Sequence, residues 1–313
     1  MRPVFERHIF PTFDELTATG HEILDKEKAY LFISNHRDIV LDSYILNYFL
    51  FIEGFKSAEV AIGDNLLKDG WIKDLVRLNK CFIVKRNLDN AEMLAASKKL
   101  SAYIHHTIHQ RKESVWIAQR AGRAKDGNDE TNRGLINMLG MSSSNGLVTH
   151  FKQLNIVPVS ISYEFDPCDA RKTKELYVES QGIEYSKSEK EDVESMQIGI
   201  VEPKGKGHVH FGNPIDVELD SISGDDRKEV ISALVQNIDY QIQKNYRLWP
   251  SNLIANEIFG FQTEKGDRFE NDKEIFVSRM NKMLNGIDGD TSELQRIFLA
   301  MYQQPLINKA KHG

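Results

Sequence analysis

The chain reads as an α/β fold: a central mixed sheet flanked by helices, with a C-terminal helical extension. Three observations point there. Short β-branched runs alternate with amphipathic helical stretches as far as Trp249-Pro250. After Trp249-Pro250 the composition turns helical and polar, with no convincing strand. The 313 residues suffice to bury a full core. The expected division is an α/β domain over 1–255 and a helical extension over 256–313 packed on it.

The first element is a strand over 29–34, an apolar run that stops at Ser34-Asn35-His36-Arg37-Asp38. A helix over 39–51 follows at once, with Asp38 in place to be its N-cap. Further strands are expected over 58–62, 81–84, 114–118 and 156–162, then 197–201 with 208–211. Helices are expected over 65–78, 90–110, 133–141 and 226–245. In the second of these, Met93, Leu94, Leu100, Ile104 and Ile108 recur at helical spacing. Residues 124–132 read as an exposed loop and 184–195 as a charged excursion between strands. Beyond Pro250, helices over 269–284 and 292–302 are joined by a turn at Gly286–Gly289.

Composition narrows the function. A net charge of −6 gives no bulk attraction to nucleic acid, so any anion site must come from local cations. Two cysteines, Cys81 and Cys168, supply neither a disulfide framework nor metal-ligand spacing, and a reducing, cytoplasmic setting is expected. The N-terminal residues lack a signal-peptide core. The most apolar stretch, residues 39–52, includes Asp42 and Asn47 and is too short to span a bilayer.

Four constellations could carry chemistry. His36 stands at a strand-to-helix junction with Asp38 and Asp42 close behind. An imidazole beside a carboxylate removes a proton from a hydroxyl at neutral pH. Because helical side chains lean toward the N-terminus, Asp42 could reach back to the ring. The plain alternative is a histidine that caps or packs beside a helix start. The second, Lys80-Cys81-Phe82-Ile83-Val84-Lys85-Arg86, is a strand ending in two cations that suit a phosphate, or merely a solvated strand end. The third, Trp116-Ile117-Ala118-Gln119-Arg120-Ala121-Gly122-Arg123-Ala124-Lys125-Asp126-Gly127, is a strand running into a loop of three cations, whose repulsion an anion would relieve, and two glycines that let backbone approach a ligand. The fourth, Ile156-Val157-Pro158-Val159-Ser160-Ile161-Ser162-Tyr163-Glu164, is a buried strand with an internal proline, normally an edge, bulge or strand-start position.

Taken in this order, the four resemble the glycerophosphate acyltransferase superfamily, over roughly residues 25–255. His36 and Asp42 stand at its His-(four residues)-Asp motif, although five residues intervene here and Asp38 is the alternative partner. Lys80 to Arg86 is similar to its Gly-x-x-Phe-Ile-x-Arg strand, and Gln119 to Arg123 approximates Glu-Gly-x-Arg-Ser without the glutamate. Val157-Pro158-Val159 matches its fourth motif. Asn245 to Asn252 looks like the end of the glycerol-3-phosphate branch's domain.

The resemblance implies an O-acyltransferase of phospholipid biosynthesis in which His36 is the base and Asp42 its partner. Lys85, Arg86, Gln119, Arg120, Gly122 and Arg123 would contact substrate or phosphate, and Val157 and Pro158 would wall the pocket. It implies no cofactor or metal, with acyl-CoA or acyl-ACP as donor and a glycerol phosphate or lysolipid as acceptor. Acyl carrier protein and the inner face of a membrane, touched peripherally, are the expected partners. A non-catalytic lipid- or acyl-carrier-binding relative is the competing reading. The His36-Arg37-Asp38 triplet also occurs in kinase catalytic loops, but no Gly-rich loop precedes it and no Asp-Phe-Gly follows. His105 and His109 lack the intervening glutamate of a zinc-protease helix.

Overall fold

The computed structural model describes residues 5–64, 80–85, 88–188, 190–216, 219, 226–261 and 270–312. Seven strands form one mixed sheet among the described residues: β1 (Phe13–Thr19), β2 (Leu31–Ser34), β3 (Glu59–Gly63), β4 (Cys81–Val84), β5 (Val115–Ala118), β6 (Ile156–Tyr163) and β7 (Gly205–Phe211). Their order is β1-β7-β6-β2-β5-β3-β4. All neighbours are parallel except β6 and β7, so the strands from β6 to β4 share one carboxyl edge. In parallel sheets, ligands bind beyond that edge.

The described helices are α1 (Leu41–Ile52), α2 (Asn90–His109), α3 (Arg133–Leu139), α4 (Leu147–Gln153), α5 (Asp169–Ser180), α6 (Glu191–Val201), α7 (Arg227–Lys244), α8 (Pro250–Ile258), α9 (Glu270–Leu284) and α10 (Thr291–Ala310). Successive side chains of a strand face opposite ways, and β2 shows the result. Phe32 joins the cluster built on Ile45, Leu46 and Phe49 of α1, while Leu31 and Ile33 join the one built on Leu234 and Ile238 of α7. With both faces covered, the central strands are continuous apolar runs rather than alternating ones. A third cluster joins Ile254 and Ala255 of α8 to Phe276 of α9 and Phe298 and Tyr302 of α10, with Phe165 and Tyr177 packed against it. The boundary expected after residue 255 thus falls inside α8.

Some expectations need correction. Residues 197–201 are not a strand but the end of α6, whose buried Glu191, Ser195, Met196 and Gly199 recur at helical spacing. The β-branched Ile198, Ile200 and Val201 misdirect a reading by propensity. The charged stretch 184–195 therefore becomes helical from Glu191. Strand β1 was not expected: at the sheet margin its acidic, unevenly buried Phe13–Thr19 lacks clean alternation. Helices α4, α5 and α8 were not expected either, and the helix expected over 65–78 lies outside the described residues. Helix α10 runs past Pro305 to Ala310 instead of stopping near residue 302. Pro305 removes a hydrogen bond to the carbonyl of Met301, and Gly127 packs so closely on that carbonyl that a Cβ would overlap it.

Candidate active site

The polar break after β2 builds the site. Ile39 and Val40 form a turn and α1 starts at Leu41, two residues later than expected. The N-cap position therefore falls to Val40 and not to Asp38, but Asp38 Oδ1 still accepts from the backbone N–H groups of Val40 and Leu41, both at 2.9 Å. Asp42 lies in the first helical turn and leans back. Its Oδ2 is 2.8 Å from His36 Nδ1 and accepts from the amides of Arg37 (2.7 Å) and Asp38 (3.0 Å). Asp42 and not Asp38 is thus the carboxylate in contact with the ring. The His36 side chain keeps 15% of its exposure, while that of Asp42 has none.

Carboxylates bury only when their charge is met, and Asp42 has donors on both oxygens, since the Tyr163 hydroxyl donates to Oδ1 at 2.9 Å. Asp38 is less well served. Burial, then the charge of Asp42, pushes its carboxyl upward from the usual range. Trp116 of β5 meets the His36 ring edge-on at 6.1 Å and donates through Nε1 to Ser34 Oγ at 3.0 Å. Asn35 ties the loop to β6, accepting from the Ile161 amide and donating to its carbonyl. Arg37 is paired with Asp129 and lies 5.1 Å from the Tyr246 ring. These contacts leave the loop that carries His36 little freedom.

The remaining expected residues divide. Lys85 is exposed just beyond β4. Three strand spacings, roughly 14 Å, separate β4 from β2 along the shared edge. Arg86 lies outside the described residues. Arg120 is partly exposed beyond β5, and Gly122 (φ +77°) has open space where a Cβ would be.

Gln119 and Arg123 need correction, since both are buried. Gln119 is held as an extension of the sheet, its N–H on Ser34 O and its carbonyl accepting from Asn132, and its side chain meets Thr131. Arg123 is drawn inward because the next residue closes the loop onto the site, Ala124 N donating to His36 O at 2.8 Å. Burial opposes its charge, but Cys168, Asp38 and Asp166 more than offset this and raise the guanidinium further. The same burial, with Asp38, pushes the Cys168 thiol up to about 12, which makes it a poor nucleophile.

Val157 is fully buried in the cluster shared with α1. It and the buried Pro158 support the sheet instead of lining a pocket. Pro158 stands one residue before the ladder to β7 begins at Val159. His105 stacks on His150 at 4.6 Å, but among the described residues no cluster of three or more His, Cys, Asp or Glu is arranged to hold a metal ion.

The sequence reading includes Trp116 and Tyr163 in its third and fourth constellations without giving either a role, and it missed Asp129 and Lys172. One signal for Tyr163 was available: alternation along β6 puts Val157, Val159, Ile161 and Tyr163 on one face, the face that packs on α1.

Residues 15–162 match the family model described as Acyltransferase. Among solved structures the chain is similar to the 1-acyl-sn-glycerophosphate (LPA) acyltransferase PlsC from Thermotoga maritima, with 11% identity, 72% of this chain and 71% of that chain covered, and a TM-score of 0.38. No curated protein matches it. Among the described residues no helix is long and apolar enough to cross a membrane. The family match takes in the His36 loop, the cationic loop after β5 and the Val157-Pro158-Val159 strand, so residues 15–162 are similar to the family described as Acyltransferase.

Proposed function

We propose that the protein is an O-acyltransferase that moves a fatty acyl group from an acyl thioester, on coenzyme A or acyl carrier protein, to a hydroxyl of a glycerol phosphate or lysolipid. The 2.8 Å contact between His36 Nδ1 and Asp42 Oδ2 carries the reading. With Nδ1–H donated to the carboxylate, the neutral ring has its lone pair on Nε2. Nε2 takes the acceptor's proton as the hydroxyl oxygen attacks the thioester carbon. Asp42 stabilises the imidazolium that forms. The tetrahedral intermediate then breaks its C–S bond, and the imidazolium returns the proton to the departing thiolate. An ester and a free thiol result, and no step calls for a metal or prosthetic group.

Arg120 and Lys85, with Arg86, are the cations assigned to the anionic head of the acceptor. Arg120 and Lys85 reach solvent at the carboxyl edge, as Arg123 does not. Because the acylated product is amphiphilic, the protein works from the cytoplasmic face of the membrane and binds it reversibly through exposed apolar residues such as Ile52, Ile83 and Leu94.

The test incubates the protein with radiolabelled acyl-CoA or acyl-ACP and with glycerol 3-phosphate or lysophosphatidate. His36→Ala is expected to remove roughly 10²–10⁴-fold of the rate while leaving the circular dichroism spectrum unchanged. Transfer surviving in that variant overturns the mechanism. No transfer by the unaltered chain to any acceptor favours the non-catalytic reading, which the burial of Gln119 and Arg123 supports.

A further inference from the structure

We propose that Tyr163 is a positioning residue for acyl transfer, fixing the Asp42 carboxylate and setting how readily His36 gives up its proton. The inference rests on the reading of His36 as the base. Three donors converge on Asp42 Oδ2: His36 Nδ1 and the amides of Arg37 and Asp38. The Tyr163 hydroxyl, from the end of β6, takes the other oxygen at 2.9 Å. The phenol is 4% exposed, with its ring 6.0 Å from that of Phe13. A buried phenol needs a hydrogen-bond partner, and among the described residues Asp42 is the one it has.

Burial, then the charge of Asp42, holds the Tyr163 hydroxyl well above its ordinary value, so at neutral pH it stays protonated and donates. Donation disperses carboxylate charge. Without it, Oδ1 is left unsatisfied and the more concentrated charge attracts an imidazolium more strongly. A histidine that holds its proton more tightly is a base at fewer pH values. The titratable groups facing Asp42 are His36, Asp38 and Tyr163. Those facing Tyr163 are Asp42, Asp38 and Asp166, with Arg37, Tyr246 and Tyr302 across a small cavity.

The experiment records kcat/KM against pH for the intact chain, for Tyr163→Phe and for 3-fluorotyrosine placed at 163. The phenylalanine keeps the ring and loses the donor, so the acid limb should move up by about half to one pH unit. That is a three- to tenfold loss at fixed pH on the limb, with the rate recovering on the alkaline side. Fluorine makes the phenol a stronger donor, and the limb should move the other way. A merely structural role for Tyr163 would lower the rate at every pH without moving the limb. Limbs unmoved in both variants, or moved in the same direction, overturn the inference. Should Tyr163→Phe fail to fold, the fluorotyrosine protein decides alone. His36→Ala separates the two proposals: activity surviving there sinks the base, whereas a dead His36→Ala with an unmoved limb sinks only Tyr163.

Discussion

Lys172 Nζ donates to the backbone carbonyl of Arg37 at 2.7 Å, so a side chain of α5 holds the residue next to His36. Lys172 is 2% exposed and is ion-paired with Asp166. The C-terminal helices brace the same turn. Asp166 N donates to the Tyr302 hydroxyl (2.9 Å), Tyr302 donates to Asp169, and Arg279 of α9 donates to Asp166 O and Asp169 Oδ2. Helices remote from His36 in sequence thereby reach its loop through two buried side chains.

Replacing Lys172 with methionine keeps the bulk and removes the charge. Asp166 is then left without its cation, and breaking one side of a buried pair costs about 3–5 kcal/mol. Urea unfolding of Lys172→Met should show a loss of that size, with reduced transfer from the molecules still folded. A change below about 1 kcal/mol would mean that the Asp166 turn does not need the lysine.

Asp42→Asn and Asp38→Asn should separate cleanly. Asp42 is in contact with the ring, so the amide removes the charge that meets the imidazolium, and transfer should fall roughly 10²–10⁴-fold. Asp38 accepts the Val40 and Leu41 amides at the start of α1, a task an asparagine oxygen performs about as well, and its charge is a buried liability beside Asp42. Asp38→Asn should keep activity within about tenfold and leave the melting temperature close to the original. A severe Asp38→Asn with a mild Asp42→Asn would reverse the assignment.

How far the site could be read from the chain depended on the range of the forces involved. The His36 loop was legible because an apolar run, a cap and a helical pattern are all local, and Asp42 reaches the ring from six residues away. The sheet's central strands were legible as apolar runs. The directions of Gln119 and Arg123 were not, because the bond from Ala124 N to His36 O, which closes that loop, joins segments 88 positions apart. Tyr163 and Lys172 act across 121 and 135 positions: alternation along β6 gives the face of Tyr163 but not its partner, and nothing local marks Lys172. Strand β1 at the margin and α6 were misread where propensity and tertiary demand part: Gly199 faces the Asp38 carboxylate, where a Cβ would not fit.

His208 should make stability fall in acid. Both ring nitrogens are engaged, Nδ1 with Thr17 Oγ1 at 2.7 Å and Nε2 with Thr19 Oγ1 at 3.0 Å, and burial, then Arg247 and His210, pushes the imidazole down to about 4. The folded state therefore favours the neutral ring, while the unfolded chain takes up a proton near the ordinary value of about 6.5. The contribution is complete above that value and is lost as pH falls toward 4, about 2–3 kcal/mol over the window. Urea midpoints measured between pH 4.5 and 7.5 should slope downward in acid, and His208→Gln should flatten the slope. An unchanged slope in the variant would place the acid sensitivity elsewhere.

Gly127 is where the loop after β5, the His36 loop and α10 meet. Its carbonyl accepts from Arg37 NH2 and from Asn308 Nδ2, both at 3.4 Å. Its φ of +78° lies in the left-handed region that favours glycine, and a Cβ would collide with the carbonyl of Met301, the group that Pro305 deprives of its helical partner. Neither obstacle can relax cheaply, since one is backbone conformation and the other a backbone atom. Gly127→Ala should cost about 2–4 kcal/mol, and because the glycine's carbonyl binds Arg37, transfer should fall in the folded fraction as well. Gly122→Ala is the control. Its φ of +77° is as unfavourable, but nothing stands within 4 Å of its Cβ position, so only about 1 kcal/mol of strain is expected. Equal losses at the two positions would show that conformation alone, and not the contact with α10, makes Gly127 necessary.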